Sequence, residues 1–490
     1  MQEPLLGHAA EAQAARSVSA EGTPFPRPVL VRDALGTSTA SGGPRVTESI
    51  NAWISPASEN LLRFEFPADK GRRLTHQLFR FPAKFHAPVV RRLIEEYTRP
   101  GDRLLDVFCG SGTLLVEASV TGRHAIGFDV DPLSVFLSRA KSRPVDVASL
   151  HSAADVLSER LERVMRSSDE YAQRMHEDLD AEAYVTELGS LQAPAIPNLE
   201  HWFRRYVIVD LARILSEIEG LHVRAGVRDL LRVVFASTIR GASNADPVPV
   251  SGLERTKHMI ARDKDGRLIN PVALFARKLH RALDDVKNYQ VMRDPASVCR
   301  VGRADATKTL RLKAGEDVQA ACTSPPYHGA VDYYRRHQLE MFWLDLTTTQ
   351  ADRLRILNEY LGRPHVPKNH PFIARTNLSG LPTVADCERQ IRANDSRRAD
   401  EFRHYCVGMA RAFVRLAAVL PTGAPAIFVV GHSRWNNASL DTSVLFTELA
   451  GRGFRLDERF WYPVTNRHMS YGRRNGANID REYVLVFRRT

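Results

Sequence analysis

Apolar and polar positions along the chain change register several times. Pro88, Val89, Val90, Leu93, Ile94 and Tyr97 share one face of a predicted helix, which Arg99-Pro100-Gly101 stops. A short apolar run over residues 104–107 predicts a buried strand. After a glycine turn, Leu114, Leu115, Val116, Glu117 and Ala118 predict a second helix, and residues 125–129 a second strand. Beyond Lys141 this alternation lapses. Residues 143–297 carry helical stripes instead, among them Leu157, Leu161 and Val164, then Ile208, Leu211, Leu215 and Ile218. Leu230, Val233, Val234 and Ala236 make a third stripe, and Leu274, Phe275, Leu279 and Leu283 a fourth. Strands return over 298–301 and 318–322. An amphipathic helix over 402–420, a fully buried strand over 426–430 and a C-terminal antiparallel pair over 454–462 and 482–487 follow. The pattern is α/β with a large helical insertion.

The segments between these elements set the expected organisation. Residues 1–50, rich in Ala, Ser, Gly, Thr and Pro, read as a disordered leader. One half of an α/β core spans 51–142, the helical insertion 143–297, the second half 298–345, and the C-terminal part of the sheet 398–490. Residues 346–397 are irregular, punctuated by Pro364, Pro367, Pro371 and Pro382, and an excursion of that length is usually functional or disordered. The polar stretch 237–247 reads either as a loop facing a substrate channel or as a solvated connection.

Two motifs carry chemistry. In Asp106-Val107-Phe108-Cys109-Gly110-Ser111-Gly112-Thr113 the first strand ends in an acid, and glycines 110 and 112 allow positive φ and close approach of a ligand to backbone. Asp129, at the tip of the next strand, stands where nucleotide-binding α/β folds accept hydrogen bonds from ribose hydroxyls. An acid beside the loop disfavours a pyrophosphate and suits a cationic ligand, which points to S-adenosylmethionine. The second motif is Thr323-Ser324-Pro325-Pro326-Tyr327, directly after a buried strand. Each proline fixes its φ and lacks an N–H, so carbonyls are left facing outward beside a flat ring. Such a corner can hold the amino group of a planar base. Asp305, after the strand over 298–301, is either a contact to an adenine amino group or an N-cap.

Taken together, Asp-Val-Phe-Cys-Gly-Ser-Gly-Thr, Gly-Phe-Asp-Val-Asp-Pro, Thr-Ser-Pro-Pro-Tyr and the upstream Arg-Phe-Pro-Ala-Lys-Phe-His at 80–86 resemble the amino-group DNA methyltransferases, which modify cytosine N4 or adenine N6. The resemblance covers 78–141 and 298–344 well and the C-terminal strands loosely. It implies a Rossmann-like class I methyltransferase sheet, mostly parallel with an antiparallel C-terminal strand. It implies S-adenosylmethionine as cofactor, held by Phe81, Lys84, Asp106, Phe108, Gly110, Gly112, Thr113, Asp129 and Asp305. Ser324, Pro325, Pro326 and Tyr327 become the catalytic corner: Tyr327 stacks on an extruded base, and the oxygens of Ser324 and Pro325 accept its amine hydrogens. Transfer is then direct, with no metal. Serine at the first motif position resembles the cytosine-N4 branch more than the adenine-N6 branch. Tyr333, Arg335, Arg336 and Arg467 are expected to contact nucleic acid. The insertion precedes the Asp305 strand, a departure from the usual pattern, so either 143–297 or 346–397 could read the target sequence.

Composition fits this without deciding it. Lys and Arg number 68 against 57 Asp and Glu, a net charge of +11 that suits a polyanion such as double-stranded DNA. The five cysteines form no Cys-x-x-Cys pair, so neither a zinc ribbon nor a disulfide framework is expected, and Cys109 and Cys322 read as packed residues. No signal peptide or apolar span is apparent, which places the protein in the cytoplasm. A cognate restriction endonuclease is a possible partner. An RNA amino-methyltransferase, a small-molecule or protein methyltransferase, and a catalytically silent DNA-binding subunit remain alternatives.

Overall fold

The structure, a computed structural model, describes residues 62–63, 74–247, 253–327, 332–363, 366–374, 380–431, 433–435, 438–463 and 481–490. The leader and the Arg467 loop lie outside the described residues. The strands are β1 (Leu62–Arg63), β2 (Arg103–Asp106), β3 (His124–Asp129), β4 (Cys299–Arg303), β5 (Ala320–Thr323), β6 (Pro425–Gly431), a small hairpin β7 (Ser433–Trp435) and β8 (Ala438–Leu440), then β9 (Phe454–Pro463) and β10 (Arg481–Arg489).

All but the hairpin join one sheet in the order β1-β9-β10-β6-β5-β2-β3-β4. Neighbouring strands from β4 to β6 run parallel, whereas β10 runs antiparallel to both β6 and β9. This is the class I methyltransferase sheet, with its single reversed strand threaded between two others. Because β2 has β3 on one side and β5 on the other, the strand order reverses there, and α/β folds bind ligands at such a switch point beyond the carboxyl ends of the strands.

Both faces of the sheet are covered, which is why its strands read as unbroken apolar runs. Successive residues go to opposite sides. Leu104, Ala320, Ile427 and Val484 face one cluster, with α1 (Ala87–Tyr97) and α2 (Thr113–Val120). Their successors Leu105, Ala321, Phe428 and Leu485 face the other. Helix α1 starts with proline in its first turn and buries Val89, Val90, Leu93 and Ile94. Helix α2 buries every residue but Val120 and so has no polar face.

After α3 (Pro132–Ser142) come the helices of the insertion: α4 (Val147–Glu162), α5 (Ser168–His176), α6 (Ala181–Leu188), α7 (Leu199–Trp202), α8 (Arg205–Glu219), α9 (Ala225–Ala242), α10 (Lys257–Lys264) and α11 (Pro271–Met292). Their apolar stripes form a separate core with Leu133 and Leu137 of α3 and with Leu339 and Trp343 of α12 (Tyr333–Trp343). The stretch from Ser237 is less of a loop than its polarity suggests. Residues 237–242 complete α9, where Ser237 and Thr238 satisfy their hydroxyls on the carbonyl of Val234. The irregular excursion holds α13 (Gln350–Glu359), α14 (Pro371–Ala374) and α15 (Pro382–Asn394). Helix α16 (Ser396–Ala417) begins ahead of its apolar stripe because Asp395 caps it, accepting from the Arg398 amide. Helix α17 (Thr442–Ala450) precedes β9.

Under the C-terminal strands Phe413 lies within 4.6–5.8 Å, ring centre to ring centre, of Phe428, Phe446, Phe454 and Phe487. These rings tie α16 and α17 to β6, β9 and β10. Phe413→Ala is expected to cost about 3–5 kcal/mol, read as a lowered urea midpoint with spectroscopically native protein in the absence of denaturant.

Candidate functional site

The ends of β2, β3 and β5 open into one cleft, whose space out to the solvent boundary is about 840 Å³. Three carboxylates stand on one side of it. Asp106, at the end of β2, accepts from Thr323 Oγ1 at 2.6 Å and from the Phe108 amide at 3.1 Å. Asp129, at the end of β3, accepts from the amides of Gly110 at 2.9 Å and Asp131 at 2.9 Å. Asp131 caps α3, taking the Leu133 amide at 2.8 Å and the Ser134 hydroxyl at 3.2 Å. Burial pushes Asp106 up to about 7, against its bonds from Thr323 and Phe108. Burial lifts Asp129 to about 6. Burial and then the charge of Asp129 lift Asp131 to about 7. None of the three forms an ion pair among the described residues.

The glycine loop is held from beneath. Gly110 and Gly112 have φ of 47° and 81°. A Cβ on Gly112 would lie 2.8 Å from Ser138 Cα, so this glycine serves the packing of the loop on α3 and does not line the cleft. Ser138 donates to the Gly110 carbonyl at 2.7 Å, and the buried Lys141 ammonium donates to the Ser111 carbonyl at 2.6 Å. The segment carrying Phe81 and Lys84 is anchored to the same layer. His76 Nε2 lies 2.6 Å from Glu117 of α2, Arg91 donates to the other Glu117 oxygen at 2.7 Å, and Lys84 donates to the His76 carbonyl at 3.0 Å.

Of the expected cofactor residues, Phe81, Lys84, Asp106, Phe108, Gly110, Thr113, Asp129 and Asp305 line the cleft. Asp305 does more than its either-or reading allowed. One oxygen holds its own turn, accepting from the Thr307 amide at 2.9 Å and hydroxyl at 2.8 Å, while the residue also faces the cleft.

Of the corner, Ser324 and Pro326 line the cleft, whereas Pro325, which is buried, and Tyr327, which is half-buried, do not. Ser324 donates its hydroxyl proton to the Val429 carbonyl at 3.1 Å, which leaves the oxygen's lone pairs for an incoming donor. Tyr327 donates to Glu482 Oε1 at 2.7 Å, and Tyr462 donates to the other oxygen of Glu482. A Cβ on Gly362 would come within 3.1 Å of the Tyr327 carbonyl, so the chain after α13 closes over the corner. Tyr333 lines the cleft, its ring stacked on Phe81 at 5.8 Å. Arg335 is not brought there; exposed, it pairs with Glu254 at 3.3 Å. Arg336 is half-buried on the same helix and does not line the cleft.

Sequence reasoning missed Glu482 and Tyr462, which reach the corner only through the register that places Glu482 opposite Tyr462 and Gly431. It also missed Tyr360 and Leu361, the cleft's lining from the excursion. Asp131 had a local signal, an Asp-Pro step opening a helix.

The cleft fits S-adenosylmethionine chemically. Three carboxylates without cationic partners match a sulfonium and an ammonium, and Val107, Phe108, Pro326 and Leu361 offer apolar walls to a purine. The Ser111 hydroxyl is buried without a hydrogen-bond partner among the described residues. Among the described residues no cluster of three or more His, Cys, Asp or Glu could hold a metal, no helix is long and apolar enough to cross a membrane, and all five cysteines are free.

Comparison with known proteins finds methyltransferases. The family model described as "DNA methylase" matches residues 48–135, and one described as "RMKL-like, methyltransferase domain" matches 95–185. Type II methyltransferase M.MvaI of Kocuria varians is 24% identical over 398 residues, covering 77% of this chain and 81% of its own. M.MjaII of Methanocaldococcus jannaschii is 23% identical over 364 residues, covering 61% and 68%. M.AvaI of a Nostoc species is 21% identical over 449 residues, covering 86% and 88%. A solved rRNA methyltransferase, aviRa of Streptomyces viridochromogenes, aligns over 85% of this chain and 90% of its own at 13% identity, with a TM-score of only 0.29.

The raised carboxyls give a pH dependence of definite sign. The folded chain without ligand binds protons more tightly than the unfolded chain, so these groups reduce stability as pH rises from 3.8 to about 7. A cationic ligand favours the ionised forms. Titration calorimetry with S-adenosylmethionine is expected to show affinity rising between pH 5.5 and about 7, roughly tenfold per pH unit for each proton displaced, then levelling. Asp106→Asn should flatten that rise. Separately, Glu482→Gln should lower methyl-transfer turnover by about tenfold, the cost of one weakened charged hydrogen bond. Tyr327→Phe, which keeps the ring and loses the same bond, should match it; an unchanged rate in both would show that the tether is idle.

Proposed function

We propose that this chain, which is similar to DNA methyltransferases, is an amino-group DNA methyltransferase that methylates the N4 amine of a cytosine turned out of double-stranded DNA within a short recognition sequence. One observation carries this reading: Ser324 and Pro326 of the corner line the same cleft as Gly110 and Ser111 of the glycine loop. Tethering of the corner to the loop by the bond from Thr323 to Asp106 supports a fixed distance between a bound base and a bound cofactor.

S-adenosylmethionine, when bound, supplies an electrophilic methyl on a positively charged sulfur. The residues of the chain do the rest. Asp106, Asp129 and Asp131 present negative charge to the cationic ligand from one side of the cleft. Ser324 Oγ, its own proton turned toward Val429, and the backbone carbonyls of the corner accept the two amine hydrogens and so keep the nitrogen lone pair out of ring conjugation. Tyr327, held by Glu482, offers its ring to the base. Leu361 and Tyr360 limit water on the outer side. The choice of cytosine rests on serine at the first position of the corner.

A modification enzyme of the type II class, as its relatives M.MvaI and M.MjaII are called, is the biological setting proposed, with a restriction endonuclease as its cognate partner. Base-resolved methylation of host DNA after expression tests the whole reading. N4-methylcytosine at one short motif, absent with Ser324→Ala or Tyr327→Ala, is the expected result. N6-methyladenine would replace the base, and no DNA mark from a protein that binds S-adenosylmethionine would defeat the proposal.

A further inference from the structure

Outside the cleft lining, near Phe81 and Tyr333, three arginines lie close enough to act on one another's charge: Arg80, Arg240 and Arg336. Arg80 immediately precedes Phe81, whose ring stacks on Tyr333 at 5.8 Å and on His337 at 5.2 Å. Arg336 lies on α12 next to His337. Arg240, at the end of α9 in the insertion, donates to the Arg336 carbonyl at 2.6 Å and to the Asp246 carbonyl at 3.2 Å. The insertion and the catalytic half of the core therefore meet at these residues.

Charge is unbalanced here. Glu340, buried one turn beyond Arg336, is felt by Arg240, Arg336 and Lys278, and Asp246 is felt by Arg240 but also accepts from Thr256 at 2.8 Å. Among the described residues, two carboxylates thus face three arginines and a lysine. Lys278 is spoken for, since its ammonium donates to the Ser237 carbonyl. Arg80 and Arg336 form no ion pair among the described residues, and Arg80 is exposed. The remaining guanidiniums repel one another: burial and then Arg240 and Arg80 push Arg336 down to about 10. Both ring nitrogens of His337, which is 2% exposed, have no hydrogen-bond partner among the described residues. Counter-charge for Glu340 alone would need one arginine. The surplus, together with an unpartnered buried imidazole, marks a place built to receive an anion.

We propose that Arg80 and Arg336, buttressed by Arg240, seat a phosphodiester of the target DNA strand beside the extruded base. This rests on the DNA methyltransferase reading. The guanidinium fork matches phosphate oxygens in pairs. Phe81 and Tyr333 line the cleft, so the phosphate lies one aromatic layer from the base-binding corner, where it fixes the extruded nucleotide's backbone without reading its sequence. The insertion contributes Arg240 to that grip.

The test is duplex binding by fluorescence anisotropy between 50 and 200 mM KCl, about the range where counterion release dominates. The duplex carries the methylated motif, and S-adenosylhomocysteine is present. Arg336→Gln and Arg80→Gln should each weaken binding about tenfold and reduce the slope of log K against log salt by about 0.9. Arg336→Lys should restore the slope and only part of the affinity. Arg455→Gln, which removes an exposed pair with Asp457 at the start of β9, should leave the slope alone. Unchanged slopes in both glutamine variants would overturn the site, as would weaker binding at an unchanged slope, the mark of a merely structural role. Should Arg336→Gln fail to fold, exposed Arg80 carries the same measurement. Failure of the wild type to bind or mark DNA, with cofactor binding intact, instead strikes the functional reading itself.

Discussion

The hydrogen bond from Thr323 to Asp106 joins the two halves of the chemistry. It spans 2.6 Å between the ends of β5 and β2, which lie side by side only because the strand order reverses at β2. Asp106 begins the glycine loop and Thr323 begins the corner. Every distance between a cofactor and a base therefore passes through this contact, and both partners are buried, so water does not compete for it. The large insertion sits elsewhere, on its own core against α3 and α12. Some 150 residues can be added between α3 and β4 without moving β2 relative to β5.

Much of this arrangement was legible because it is local. The strand–Gly-x-Gly–helix stretch, the acid closing β3 and the two prolines after β5 each declare their geometry within about ten residues. Helical stripes revealed the insertion's helices, since each buries one face. The illegible parts are relations between distant strands. Glu482 and Tyr462 carry no signal that they serve the corner; they arrive through the pairing of β10 with β6 and β9. Gly112 was read for ligand approach, and its requirement proved to be contact with Ser138. Polarity over residues 237–247 suggests a channel loop or a solvated connection, whereas residues 237–242 complete α9 and the hydroxyls of Ser237 and Thr238 turn back onto Val234. Arg335 and Arg336 look equivalent in sequence, yet one faces solvent and Glu254 and the other turns toward α9.

Charge is sorted across the aromatic wall formed by Phe81 and Tyr333. Carboxylates collect on the cleft side and guanidiniums on the other. Burial disfavours the charged form on both sides, which costs the protein stability in the absence of ligands and leaves it poised for ligands of opposite sign. The uniform excess of basic residues in the composition says nothing of this division. It arises because β2 and β3 end in acids while α9 and α12 meet through arginines.

Strand β10 has a consequence for how the protein becomes competent. It lies between β6 and β9, both of which are made before it, and it brings Glu482 to the ring of Tyr327. Every residue that lines the cofactor cleft lies earlier in the chain than Glu482. The groups that hold a cofactor are thus all made before the carboxylate that holds the ring of the corner.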